Sequence, residues 1–333
     1  MAATTLAAPA PTQAGPSIRK KPTSIRRFWP QYLAISPFYL LFLVFGLVPI
    51  VFSLYISFHD WDGVGPMKYV GLQQYTYLLN DPRFWNAVEN TFIIWFMSTV
   101  PMVFFALLLA FLLHQSIRFK GFYRVAYFLP NVTSMVAMAI VFGSVFSDSF
   151  GLVNSALTAL HLDAIPWLSS DWGIKTTISV MVIWRFTGYN AIIFLAGLQA
   201  ISPDLYDAAR VDGAGLWRTF SRITVPLLRP VILFVVITST IGGLGLFTEP
   251  QVLLTESGGP NEAGMTIVLY QYNQAFTQFD FGYGSAIGWA LFVIAGLFAV
   301  INWRLVRERN SLAGNVGGRT GLLRGRRKNR GNH

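Results

Sequence analysis

Long apolar runs separated by short polar segments dominate the chain. Charge is absent from Phe28 to Phe58, Asn90 to Leu113, Val125 to Ser147, Pro230 to Thr248 and Phe281 to Trp303, and a sixth run, Thr176 to Ile201, holds only Arg185. A helix needs about 20 apolar residues to cross the hydrocarbon core, where an unpaired backbone group finds no partner. Each run therefore predicts a membrane-spanning α-helix, at roughly 34–58, 89–113, 125–147, 176–200, 229–248 and 282–304. The expected fold class is all-α, a polytopic membrane protein with six transmembrane helices. Composition agrees: 12% of the residues are charged, against about 25% in a soluble domain.

The net charge of +10 raises the possibility of nucleic-acid binding, but the placement of the charges argues otherwise. Five Lys and Arg lie in the N-terminal tail, three in the second inter-helix loop, four in the fourth loop and nine between Arg304 and Arg330. That makes 21 of the 25, whereas the first, third and fifth loops hold only Lys68, Arg83 and Lys175. Such alternation is the positive-inside pattern, and it predicts a multi-pass protein of the bacterial plasma membrane with both termini cytoplasmic. The basic tails read as topology signals that touch anionic membrane lipid, not as a surface for nucleic acid. Three parts follow: a disordered tail over 1–33, a six-span domain over 34–304 and a basic tail over 305–333.

The chain has no Cys, and its four His are scattered, so neither a disulfide nor a metal site is expected. Gly284 and Gly288 form a small-xxx-small pair in the last span, while Gly242, Gly243 and Gly245 thin the fifth, features that let helices approach closely in lipid. The loops near 59–88, 148–175 and 249–281 are expected on the outer side. No internal repeat is visible. A transporter that alternates access uses two related halves, so one copy of this chain supplies one half.

The fourth loop has more internal order than a connector requires. Ser202 can cap a helix, Pro203 suits its first position and Asp204 its positive end. That helix should run to Val211, followed by a tight turn at Gly213-Ala214-Gly215. Leu216, Phe220 and Ile223 then give a second short helix an apolar face. The prediction is a helix–turn–helix at the membrane surface over 202–229, with Ala208 and Ala209 small enough for another protein to pack against.

Within it, Asp207-Ala208-Ala209, Asp212-Gly213-Ala214 and Ile223-x-x-Pro226 resemble the coupling loop of binding-protein-dependent ABC importer permeases, with Asp207 where the family has Glu. The resemblance extends over most of the chain from residue 34: Trp184 to Gln199 is similar to the span before that loop in sugar permeases, and Leu254-Thr-Glu-Ser-Gly-Gly-Pro260 to their last outer loop. It implies that the hairpin sits in a cleft of a separate ATPase dimer, with Asp207 facing a basic or hydrogen-bonding group. It also implies a second, related permease chain and an extracytoplasmic substrate-binding protein as partners. The chain is then not an enzyme and holds no cofactor. None of its six lysines follows a glycine, so a Gly-Lys-Ser/Thr phosphate loop is missing and ATP–Mg belongs to the ATPase subunits.

For the substrate path, a charge at Arg185 near mid-bilayer costs at least about 2.5–3.5 kcal/mol and needs a partner or water. Two readings stand: it lines the path, or it pairs with Glu89 or Glu249. The resemblance to maltose-type permeases places Tyr189 at a sugar-contacting position and Thr248 at a polar one, while Ile241 and Gly245 depart from that pattern. Asn190, next to Tyr189, faces about 100° away on a helix, and with Arg185, Tyr189, Phe247, Thr248 and Glu249 it makes up the expected substrate path. Phe247 or Trp184 either stacks on a sugar ring or packs within the bundle. The function expected is sugar import driven by ATP. Its alternatives are the same machinery carrying an anionic solute such as glycerol 3-phosphate, and an ion-coupled carrier, for which the spans offer no carboxylate chain.

Overall fold

Hydrocarbon offers backbone amides nothing to bond, so the apolar runs close their hydrogen bonds internally as helices. The computed structural model describes residues 28–114, 119–301 and 304. The basic tails over 1–27 and 305–333 lie outside the described residues. Contacts divide the chain into two units, Met1–Phe52 and Ser53–His333. In the first, helix α1 begins at Trp29, ahead of the expected start at 34, and runs on to Ile56 with a π turn at Leu43–Leu47. None of its residues up to Phe52 is buried, and it is apolar all round, as suits a helix meant for lipid or a partner chain.

The second unit opens with a two-residue antiparallel ladder, β1 (His59–Asp60) and β2 (Lys68–Tyr69). Helices follow: α2 (Gln73–Asn80), α3 (Pro82–His114), α4 (Lys120–Val132), α5 (Met135–Val145), α6 (Leu152–Ala159) and α7 (Asp171–Gln199). Next come α8 (Pro203–Val211), α9 (Leu216–Leu227), α10 (Arg229–Leu244), α11 (Thr248–Leu254), α12 (Ile267–Tyr272) and α13 (Phe281–Ile301). Among the described residues, four helices (α1, α3, α7 and α13) are individually long and apolar enough to cross a membrane, and the total reaches six if each of two bent pairs is one span. The third predicted span is a broken helix, α4 and α5 meeting at 93°. Pro130 near the end of α4 and the extended Thr133 after it account for the break. The other bent pair is α9 and α10, at 72°.

Long α3 and α7 form the spine. In lipid no hydrophobic force drives helices together, so association rests on close packing through small residues. Ala106 and Ala110 of α3 and Ala191 of α7 are buried accordingly, among Phe111, Phe194, Leu195, Leu198, Phe220 and Val235 near one end. On its other side α7 receives α4 at Gly188, where any Cβ would collide with the Tyr127 carbonyl. Gly284 meets Ala275 and Gly288 meets the side chain of Gln271, so the small pair of the last span serves contacts within this chain.

At the other end, Asp81 ties α3 to α12 and α13. Its Oδ2 accepts the hydroxyls of Tyr270 (2.5 Å) and Tyr283 (2.6 Å). Burial pushes the Asp81 carboxyl up, but the two hydroxyls and the backbone N–H groups of Arg83 and Phe84 outweigh it and hold the group below the usual range. Burial and the Asp81 carboxylate raise Tyr270, which stays a donor. Asp81→Asn sets an amide N–H₂ against two hydroxyl donors and is expected to cost about 1–3 kcal/mol, read as a lower Tm of the detergent-solubilised protein. A depressed carboxyl contributes fully above its unfolded value of about 4 and loses that contribution as pH falls through its folded value. The gap between wild type and variant is therefore expected to close in melts taken stepwise below about pH 4.

Candidate functional site

Two features stand out, a projecting hairpin and a cavity in the bundle. In the hairpin, α8 begins at Pro203 and ends at Val211, as the sequence predicts. Ser202 occupies the cap position, but its hydroxyl bonds the Asp204 carboxylate (3.2 Å) instead of a backbone N–H, so the expected cap is not made. Gly213 makes the turn at φ +70°, where a side chain would be strained. Along α9, Phe220 is buried, Ile223 half-buried and Leu216 exposed, so the predicted apolar face is only partly used. A π turn at Phe220–Thr224 shifts the side-chain register part-way along α9.

Phe220 joins the hairpin to the spine. Its ring lies 4.9 Å from that of Phe111 near the end of α3, and Tyr206 of α8 meets His114 at 5.7 Å and the Thr224 hydroxyl at 3.4 Å. Between hairpin and spine lies a cavity of about 680 Å³. Ala209 is buried, while Asp207, Ala208, Asp212, Gly213 and Pro226 are exposed and Ala214 half-buried. Asp207 pairs with Arg210 in its own helix at 3.0 Å. Leu205, Val211, Leu216 and Trp217 also stand exposed on the hairpin, Val211 at 88% and Trp217 at 69%. Sequence reasoning missed Leu205, Val211 and Trp217 and expected Leu216 on the anchoring face. The available signal was apolar side chains lying off the face that anchors the hairpin.

The second feature is a cavity of about 330 Å³ between α3, α7 and the place where α10 stops. After Leu244 the chain unwinds through Gly245-Leu246-Phe247 before α11 begins, so the fifth predicted span ends short. Irregular backbone at membrane depth persists only where it is buried or lines a cavity, and here the two conditions meet. Thr266 Oγ1 donates to the Leu246 carbonyl (2.7 Å), and Thr91 Oγ1 accepts the Ile267 N–H (2.9 Å). Asn90 Nδ2 donates to the carbonyls of Glu262 (2.8 Å) and Met265 (3.2 Å). The segment expected as an outer loop over 249–281 is thus partly a return into the bundle, with Thr266, Ile267, Leu269 and Tyr270 buried.

Tyr189, Asn190, Phe247, Thr248 and Glu249 all line this cavity. Asn190 reaches it although it adjoins Tyr189, because the cavity wraps around α7. It also donates to the Phe186 carbonyl (3.0 Å). Hydroxyls of Thr99, Thr238 and Ser239 and the rings of Phe186 and Phe234, not singled out in the sequence, complete the wall. Their signal was the hydroxyl run Thr238-Ser239-Thr240 inside an apolar span. Arg185 does not line the cavity and makes no ion pair among the described residues. Its Nη1 donates to Met135 Sδ, its guanidinium lies 5.5 Å from the Phe186 ring centre, and its Nε is buried without a partner. Arg185 therefore neither lines the cavity nor forms an expected ion pair: Glu89 is exposed, and Glu249 feels its charge without pairing with it. Trp184 lies in another groove, edge-on to Phe142 at 5.7 Å.

The family described as "binding-protein-dependent transport system inner membrane component" matches residues 90–307, which contain both features. The chain belongs to this family. A lactose transport system permease protein of Rhizobium radiobacter is 38% identical over 294 residues, covering 86% of this chain and 98% of the relative. An arabinooligosaccharides transport system permease protein of Bacillus subtilis is 35% identical over 276 residues, covering 82% and 87%. In fold, a chain of a bacterial alginate ABC transporter, solved with an alginate pentasaccharide-bound periplasmic protein, superposes with a TM-score of 0.72 at 24% identity, covering 84% of this chain and 94% of that one.

This permease is therefore a multi-pass membrane protein that depends on a substrate-binding protein. In it the hairpin is a rigid extension of the spine, because Phe220 shares one cluster with residues of α3, α7 and α10. Phe220→Ala is expected to cost about 3–5 kcal/mol through the cavity it leaves. The check is thermal unfolding in detergent beside Ser221→Ala, an exposed neighbour expected to melt within error of wild type.

Proposed function

We propose that this chain is the translocating subunit of an ATP-driven importer of a neutral sugar, in the class of lactose or a short oligosaccharide. The observation that carries the reading is the hairpin itself. It is anchored inward by Phe220 and Tyr206 and presents Leu205, Val211, Leu216 and Trp217 outward. Exposed aromatic and aliphatic side chains on a rigid support are what a protein partner buries as an anchor. A dimer of ATPase subunits, holding ATP–Mg, would grip the hairpin and turn nucleotide-driven closure into movement of α3 and α7. This chain takes part in no hydrolysis itself.

A second, related permease chain would supply the other half of the path, and the end bearing Asp81 and the 255–266 return would receive the binding protein. The positive-inside distribution of charge supports a cytoplasmic side for both termini and the hairpin. The cavity lined by Tyr189, Asn190, Phe247, Thr248 and Glu249 is the proposed sugar path, supported by its mixture of hydroxyl, amide and aromatic groups. Arg185, the charge in the spans that would favour an anionic cargo, turns to Met135 and does not line this wall.

Two substitutions test the hairpin. Asp207→Lys is expected to leave the protein in the membrane while sugar-stimulated uptake into vesicles falls to background; uptake at the wild-type level would remove Asp207 from the coupling role. Trp217→Ala is expected to lose an anchor worth about 2 kcal/mol, roughly thirtyfold in ATPase-subunit affinity. Co-purification titrations measure that loss, and an unchanged Tm shows that the fold is intact.

A further inference from the structure

Among the side chains lining the cavity, Glu249 is the one carboxyl, and the wall includes no Lys, Arg or His. It is 5% exposed, sits in the first turn of α11, and among the described residues its one hydrogen bond is to its own backbone. A buried carboxylate is expensive unless something compensates it. The nearby cation, Arg185, is turned to Met135 Sδ and forms no ion pair with Glu249, so its charge reaches that carboxyl only through space. Thr238 and Asn190 on the wall each spend a donor on a backbone carbonyl, of Phe234 and Phe186, and Glu249 is the one wall group that offers a pair of carboxylate oxygens as acceptors.

We infer that Glu249 sets the charge selectivity of the path: its carboxylate accepts paired hydroxyls of a neutral sugar and turns away anionic sugars. This rests on the reading of the cavity as the path. A carboxylate has about four lone-pair sites and accepts two donors side by side, the geometry that adjacent sugar hydroxyls offer. A uronate or sugar phosphate would instead bring a second negative charge beside the first in a region of low dielectric, with no cation on the wall to offset it. The arrangement therefore favours neutral polyols over acids, and it does so within the permease, independently of any selection by the binding protein.

The absence of cysteine allows a test that needs no knowledge of the sugar. Ser239→Cys places a single thiol on the cavity wall. In membrane vesicles carrying the complete transporter with ATP supplied, its modification rates are measured with a cationic trimethylammonioethyl and an anionic sulfonatoethyl methanethiosulfonate. Each rate is normalised to that on free 2-mercaptoethanol. A cleft carrying one sign of charge raises the arrival rate of the opposite sign by about tenfold or more. The normalised cation-to-anion ratio is expected near that value with Glu249, retained in Glu249→Asp and close to one in Glu249→Gln. A ratio near one with Glu249 present, or one that Glu249→Gln leaves unchanged while both reagents still react, overturns the inference and spares the path. A thiol that neither reagent reaches, with or without ATP, removes the cavity from the path and the inference with it.

Discussion

No backbone amide or carbonyl can be left unpaired at membrane depth, and the architecture of this permease turns on how that rule is met where α10 stops. The fifth span ends at Leu244, and the chain unwinds, makes the short α11 and returns into the bundle before α12. Three side chains make this possible: Asn90 and Thr91 of α3, and Thr266 on the return itself. The break opens the space that becomes the cavity. Removing these partners would leave carbonyls and an N–H unpaired inside the bundle.

The same helix links the two ends of the molecule. Asn90 and Thr91 lie on α3 near the Asp81 network, and Phe111 and His114 lie on it where the hairpin docks. In the proposed mechanism a displacement at the hairpin is delivered to the elements that shape the cavity through α3 and its close partner α7, whose small residues bring them together. The bent α4–α5 element leans on α7 at Gly188, so it too follows the spine. Rigid contact at few points, with exposed apolar surface elsewhere, suits a subunit that moves as a body against partner chains.

Charge is used sparingly within the bundle, and differently at each place. Asp81, near one end, is fully served by hydroxyls and works as a fastener. Arg185 is held by a thioether and an aromatic face, a weak arrangement for a guanidinium. Glu249 faces the cavity with acceptor capacity unspent. At the hairpin, by contrast, Asp207 and Arg210 are exposed and paired only with each other, where solvent screens the pair and it contributes little to stability.

Much of this was legible in the order of residues alone. The number of apolar runs, the alternation of positive charge and the helix–turn–helix over 202–229 depend on local composition, on lipid thickness and on the conformations open to Pro and Gly. Such constraints act within about one helix length, so they survive without knowledge of neighbours. Tyr189, Asn190, Phe247, Thr248 and Glu249 are expected on one path from their positions in two spans, and all five line the cavity. The sequence could not show that Arg185, expected with them, turns to Met135, that Trp184 faces another groove, or that the 249–281 segment re-enters the bundle. Each depends on which helix stands opposite and on partners far away in the chain, Thr91 to Ile267 among them, and only tertiary packing selects those.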